Sequence, residues 1–379
     1  FTYIQKKLDH YHLKINPNYP FLGGFLGYIS YEAYLLQKDF QHLNRNNAMP
    51  LINMGFYDQW ILFDESKQQA WHMTWNKENQ PKTTPETVKK IHQKKTINQE
   101  SKITPLITKS DYINKIKKIL NYIKKGDCYQ VNFTYPVRYK QTIEPVKLYE
   151  RLKKHSPVSF AALIKDNEQW ICSASPEEFI SINNKTIQSR PIKGTIPTSQ
   201  NPIENQKNAE QLLRSKKDDA ELLMITDLMR NDLAKVCQKG SVKVTQKKRL
   251  ESYSTLHHLS STIEGKLDKD QSMVGAFLAC FPGGSITGAP KKRAMEIIHQ
   301  LEGRPREQYT GCIGYFSLNQ TAKFSVVIRT IIGKNNQLTF NVGSGIVADS
   351  DPEKEWQETL SKAKAMVLSL TNGLSKSFA

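Results

Sequence analysis

The sequence predicts an α+β fold built on antiparallel sheets. Short runs of β-branched and aromatic residues follow one another with turn residues between them, and the few helical patterns do not alternate with strands as a βαβ repeat would. No internal repeat is visible. The 379 residues, 38% of them hydrophobic, suffice for a large core divided into two or three domains or held in one.

Residues 1–73 read as a strand-rich N-terminal lobe, with GGFLGYISYEAY followed by the alternating NMGFYDQWILFD. Residues 74–109 are polar, carry prolines and lack periodic apolar content, which predicts a linker or surface excursion. From Ser110 the signals sharpen: Ser110 and Asp111 are placed to cap a helix whose apolar positions are Ile113, Ile116, Leu120 and Ile123, with Gly126 as its stop. CYQVNFTYPV then reads as extended. Strands are expected at 159–165, 169–173, 178–182, 241–246, 312–318, 323–332 and 337–342, and long helices at 204–235, 290–301 and 352–370. The main domain runs over 110–370.

Composition excludes several classes. The five cysteines are scattered with no C-x-x-C pair, so neither a zinc site nor a disulfide framework is indicated, and a reducing cytoplasm fits. No apolar run reaches membrane-spanning length, and FTYIQKKLDH lacks the core of a signal peptide, so no membrane partner is expected. The chain starts at Phe1 in what reads as mid-domain, which predicts a missing or trimmed N-terminal piece. The net charge of +18 invites a nucleic-acid-binding reading. Its lysines are spread through Lys-Asn-Gln-rich loops without a recognisable binding motif, so no nucleic-acid partner is expected; the same field attracts a small anion.

The residues that carry chemistry come next. In SRPIKGT, Lys193 stands where a strand end turns into a loop, a place that geometry explains for proline and glycine but not for lysine. In DPEKEWQETLSKAKAM, Glu355, Glu358 and Lys362 fall along one helical face, and KKDDAELLMITDLMRNDL puts Asp218 and Glu221 on another. Two acidic helical faces are suited to share a hard cation such as Mg2+. FPGGSITGAPKKRAMEII and NVGSGIVADSDPE set glycines before helices, where backbone N–H groups approach an anion and Ser285 or Thr287 adds a hydroxyl. Neither fits a nucleotide-binding fingerprint. Arg329, in the apolar SVVIRTII, needs a solvent face or a carboxylate partner. His258, in LHHLSST, raises the same question on a smaller scale.

The ordered set SPE, RPIKGT, AELLMITDLMRNDL, HHLSSTIEG, FPGGSITGAPK, YTGCIGY, VIRT and VGSGIVADSDPEKEWQET resembles the chorismate-using enzymes, a family that includes anthranilate, aminodeoxychorismate, isochorismate and salicylate synthases. The resemblance covers about residues 105–370, and the PFLGGFLGYISYEAY region more loosely. It implies two packed antiparallel sheets flanked by helices, with the active site in the cleft between them. It also implies that Glu221 and Glu358 bind Mg2+ against the ring carboxylate of chorismate. Arg329, Tyr309, Lys362, Ser285 and the backbone at Gly343 and Gly345 then engage substrate carboxylates. By the same resemblance Glu177 matches the acid that protonates the departing C4 hydroxyl, needed because hydroxide is a poor leaving group.

Two positions separate the branches. Isochorismate and salicylate synthases resemble one another in a lysine base where this chain has Gln130, which disfavours hydroxylation at C2. Anthranilate synthases have alanine in RPIxGT, whereas Lys193 resembles the aminodeoxychorismate synthases, in which the lysine amine adds at C2 and ammonia then adds at C4. This implies a chorismate aminase making 4-amino-4-deoxychorismate for p-aminobenzoate and folate, with anthranilate synthase component I as the alternative. A lysine acts so only when neutral, which burial near cations such as Lys291 and Arg329 would promote. No glutaminase motif surrounds any cysteine, so ammonia is expected from solution or from a glutamine amidotransferase subunit in a heterodimer.

Overall fold

The computed structural model describes residues 1–11, 19–43, 49–75, 81–85, 102–167, 169–334 and 336–371. In chain order the elements are α1 (Thr2–His10), β1 (Gly24–Ile29), β2 (Ile52–Tyr57), β3 (Gln59–Asp64), β4 (Gln69–Trp75), β5 (Pro81–Pro85), β6 (Ile103–Pro105), α2 (Lys109–Lys124), β7 (Gln130–Lys140) and α3 (Pro145–His155). The middle third holds β8 (Phe160–Asp166), β9 (Gln169–Ser175), β10 (Glu178–Asn183), β11 (Thr186–Arg190), β12 (Ile192–Pro197), α4 (Pro202–Arg214), α5 (Lys216–Ala234), β13 (Lys243–Ser252) and β14 (Leu256–Lys266). The last third holds α6 (Met273–Cys280), β15 (Gly288–Ala289), α7 (Lys291–Glu302), β16 (Cys312–Ser317), β17 (Thr321–Val326), β18 (Thr330–Lys334), β19 (Gln337–Ile346) and α8 (Pro352–Leu370).

The described residues form an α+β fold with two large antiparallel sheets. One orders its strands β12, β14, β11, β10, β17, β16, β1, β2, with β13 also on β14; the other runs β15, β7, β19, β18, β9, β8, with β6 also on β7. A third sheet is β3, β4, β5. Thus β1, from the expected N-terminal lobe, lies inside the larger sheet between β16 and β2. Most of the polar stretch 74–109 lies outside the described residues.

Each large sheet buries one face under helices. Ile225, Met229 and Leu233 of α5 and Phe277 of α6 pack with Phe316 and Phe324 of the larger sheet. Tyr112 and Ile116 of α2, Leu148 of α3, Ile297 of α7 and Trp356 of α8 pack with Phe133, Tyr135 and Phe340 of the smaller one. The sheets meet through a small apolar cluster of Tyr28, Ile171, Ile313 and Val327.

Three sequence expectations are corrected. The α2 cap is Thr108, whose hydroxyl accepts Asp111 N–H at 3.1 Å, so the helix starts before Ser110. The helix expected over 204–235 is two: α4 ends at Arg214, and Ser215 caps α5 by accepting Asp218 N–H. The strand expected over 323–332 is also two, because the chain changes sheets at Val327–Arg329.

That change of sheet positions the site. β9 belongs to the smaller sheet and β10 to the larger, with Pro176 and Glu177 alone between them; β17 and β18 make the reverse passage. The two crossings are bonded together: Val326 N–H donates to Glu177 O at 3.1 Å, and Ala174 N–H to Arg329 O at 3.2 Å. A strand that switches sheets must bend, and Arg329 takes the bend at φ 49°. Glu177 and Arg329 are thereby fixed at adjoining bends.

Candidate active site

Lys193 lies within a strand and not at the strand-to-loop turn expected for it. On β12 it pairs with Leu259 of β14, and the register slips between Lys193 and Thr195. Gly194 absorbs the slip at φ 72°, in the left-handed region that glycine tolerates, with the Asp218 side chain 3.0 Å from where a Cβ would stand. Such a bulge re-aims the side chain beside it. Lys193 Nζ and the amide of Gln130, on β7 of the other sheet, both reach Gly345: a Cβ built there would be 3.4 Å from Lys193 Nζ and from Gln130 Nε2. Gln130 is fully buried, and neither atom of its amide has a hydrogen-bond partner among the described residues. A buried amide left this way costs free energy unless a polar guest completes it.

Glu177 is buried at its crossing. Removal from water pushes its carboxyl up to about 7, against opposing pulls from the Ser285 hydroxyl and the Lys193 ammonium. A carboxyl so placed holds a proton near neutral pH and can give it up, as a general acid must. Ser285 comes from the glycine-rich loop before α7, as expected. Thr287 does not offer its hydroxyl: its Oγ1 donates back to Gly283 O at 2.9 Å, which shapes the loop.

Glu221 on α5 and Glu358 on α8 face one another closely enough to interact. Burial raises the Glu221 carboxyl above its ordinary range, opposed by Lys193 and Lys217 and reinforced by Glu358 and Asp218. Burial acts the same way on Glu358, but Lys362, Lys217 and Lys193 outweigh it and hold that carboxyl low. Leu222, packed with Leu212 and Leu259, seats α5 over β12 and β14. Trp356, stacked on Tyr135 with centroids 5.4 Å apart, seats α8 on the smaller sheet. Glu355 turns inward to Ser344 and Ser350. Lys362 Nζ reaches Glu358 Oε1 at 2.7 Å and Gly343 O at 3.1 Å.

A facing carboxylate pair is a donor set for a hard divalent cation that keeps several waters. Among the described residues no group of three or more His, Cys, Asp or Glu is arranged to hold a metal ion. Lys217, 3.8 Å from Glu221 and 3.9 Å from Glu355, belongs to this cluster and was not among the expected site residues. The signal for Lys217 was its place four residues before Glu221 on one helix.

Arg329 makes no salt bridge among the described residues; its guanidinium has only a long contact, 3.5 Å, to Ser156 Oγ, and burial holds its pKa below the usual range. A half-buried guanidinium without a carboxylate partner is able to receive an anion. His258 Nδ1 meets Thr195 Oγ1 at 2.9 Å while its buried Nε2 has no partner among the described residues. Burial and the nearby Arg329 push His258 down to about 3, so the ring is neutral. Tyr309 rides on a turn tied to the Arg329 crossing, since Thr310 N–H donates to Val327 O at 2.7 Å. Lys291 is not the cationic neighbour expected for Lys193. Its ammonium is bonded to Asp232, Cys280 O (2.8 Å) and Pro282 O (2.7 Å), and the charged groups that feel Lys193 are Glu177, Glu221 and Glu358.

Comparison with known proteins points the same way. Residues 2–368 match the family model described as chorismate binding enzyme. The chain is 36% identical over 376 residues to aminodeoxychorismate synthase component 1 of Salmonella typhimurium, covering 96% of this chain and 80% of that one. It is 38% identical over 269 residues to an anthranilate synthase component 1 of Haloarcula marismortui, covering 71% and 55%. Its fold superimposes on the crystal structure of anthranilate synthase component I from Streptococcus pneumoniae with a TM-score of 0.80 and 26% identity, covering 95% and 84%.

Proposed function

This chain belongs to the chorismate-binding enzymes, and from that premise we propose that it aminates chorismate at C4, making 4-amino-4-deoxychorismate from chorismate and ammonia. One observation carries the reading: Lys193 Nζ and the Gln130 amide, from different sheets, both reach Gly345, and Lys193 is within electrostatic reach of Glu177.

Chorismate brings two carboxylates, a C4 hydroxyl and a ring diene. Arg329 receives one carboxylate, and Tyr309 serves from the turn that the Thr310–Val327 bond ties to the same crossing. The other lies toward Glu221 and Glu358, which fit Mg2+ because they are hard oxygen donors whose mutual repulsion a dication removes. Mg2+, when bound there, would neutralise the pair and anchor the substrate carboxylate. Lys193 gives a proton to solvent and its Nζ lone pair bonds to C2; both double bonds of the ring diene shift and the C4–O bond breaks. Glu177 supplies the proton that makes the leaving group water. Ammonia then bonds to C4, both double bonds shift back, the C2–Nζ bond breaks with its electron pair returning to Nζ, and the proton lost by ammonia replaces the one Glu177 gave. Gln130, an amide, cannot serve as base at C2, so water is not activated there.

Ammonia reaches this site from solution or from a glutamine amidotransferase subunit. The Haloarcula relative favours a second reading, anthranilate formation, in which nitrogen enters at C2 and pyruvate leaves; Lys193 at that face opposes it. Incubation with chorismate, Mg2+ and ammonium, followed by chromatography and mass spectrometry, decides. A C4 amine without pyruvate supports amination at C4. Anthranilate with pyruvate overturns it.

A further inference from the structure

Three chain segments that carry site residues come from distant parts of the sequence: β7 with Gln130, the loop with Ser285, and the 307–310 turn with Tyr309. One buried side chain touches all three. Arg306, 3% exposed, donates from Nη2 to Asn132 O at 2.6 Å, from Nη1 to Ile286 O at 2.8 Å, and from Nη1 to Thr310 Oγ1 at 3.2 Å. Each acceptor lies one or two residues from a site residue.

The remaining donors go to Glu302, with Nε to Oε2 at 2.9 Å and Nη2 to Oε1 at 2.7 Å, in a pair almost wholly removed from water. Glu302 Oε1 also accepts Thr134 N–H at 2.9 Å, a second tie to β7. Glu32, in the short 3-10 helix Tyr31–Leu36 of the N-terminal region, accepts Arg306 N–H at 2.7 Å and Glu307 N–H at 2.9 Å. The Tyr31 ring covers the guanidinium, 4.6 Å from centroid to Cζ.

A buried ion pair is weak evidence for stability, because desolvation offsets its attraction; its best-attested use is to fix one arrangement among several. Only arginine offers a planar fork with five N–H donors, and here the fork spans segments that no continuous helix or strand joins. We infer that Arg306, backed by Glu302 and braced by Glu32, is a positioning residue that sets Gln130, Ser285 and Tyr309 in mutual register around the substrate. The kinetic part of this rests on the proposed reaction; the structural part does not.

Arg306→Lys keeps the charge facing Glu302 and removes the fork. Hydrogen exchange on the whole chain is expected to quicken together at 130–134, 284–287 and 308–311 while β10 and β11 stay protected. In ammonium-dependent turnover kcat is expected to fall tenfold or more, and the pH limb of Glu177 to move up as Ser285 drifts from it. Should Arg306→Lys fail to fold, Thr310→Val removes one acceptor, together with the hydroxyl's own bond to Tyr309 O, at unchanged shape. It is expected to loosen 308–311 alone and to raise KM several-fold with kcat within twofold. Unchanged exchange in the three segments, or loosened segments with wild-type kcat, KM and pH limb, would overturn the inference. A wild type that leaves chorismate untouched sinks the proposed reaction, and the exchange measurement still decides on Arg306.

Discussion

Glu177 shows at the scale of one residue how function opposes stability. Its carboxyl is raised to about 7 by burial, so the folded state favours the protonated form. The stability it allows is fully present below the unfolded value near 4.5 and is lost as pH rises through about 7, a cost of up to about 3 kcal/mol above that. Glu177→Gln, a neutral isostere, is expected to raise the melting temperature at pH 8 and leave it unchanged at pH 4, while lowering kcat by roughly 10²–10⁴. Equal melting curves at pH 8 would show that the carboxyl is not strained. The two glycines of VGSG separate in the same way. A Cβ on Gly343 would stand 2.5 Å from Phe133 O, so Gly343→Ala is expected to lower stability by about 1–3 kcal/mol. On Gly345 the nearest atoms are Lys193 Nζ and Gln130 Nε2 at 3.4 Å. Gly345→Ala is expected to keep the melting temperature and raise KM for chorismate; the reverse pattern would contradict the placing of the cleft.

At the scale of elements, α5 and α8 bring carboxylates from opposite sides of the site. Mg2+ between Glu221 and Glu358 is expected to raise the melting temperature, since it replaces repulsion by attraction, and Glu358→Gln is expected to remove both that shift and turnover. A Mg2+-induced shift that survives Glu358→Gln would place the metal elsewhere. Both helices were legible from acidic and apolar spacing. The break at Ser215 was not, because apolar spacing continues across it and only a serine before Lys-Lys-Asp-Asp marks the new cap. Nor was the division of 323–332, where β-branched residues run through the change of sheet. Arg329, a guanidinium among them, was the one sign that the run was not an ordinary strand. The Lys193 bulge was hidden for a related reason: its slip is set by pairing with His258 and Leu259, sixty-odd residues away. The Arg306 network was unreadable beyond Glu302 and Thr310, four residues to either side, because its other contacts join separate segments and follow no period.

The whole molecule sets a net charge of +18 around a site whose lysines face carboxylates. A dianionic substrate is drawn by such a field, so kcat/KM for chorismate is expected to fall several-fold between low and physiological salt, more than kcat does. With glutamine as sole nitrogen source this chain is expected to be inactive until an amidotransferase subunit is added, and glutamine-dependent turnover by the chain alone would refute that division of labour. The claim on which the account turns is that Lys193 is a nucleophile and not a counter-charge, and intact-mass spectrometry of the whole chain tests it most directly. With chorismate and Mg2+ but no ammonia, the account predicts a chain heavier by chorismate less the elements of water, mapped to Lys193, discharged by added ammonium and absent from Lys193→Ala and Lys193→Arg. A chain of unchanged mass, together with a Lys193→Arg variant kinetically like the wild type, would contradict it.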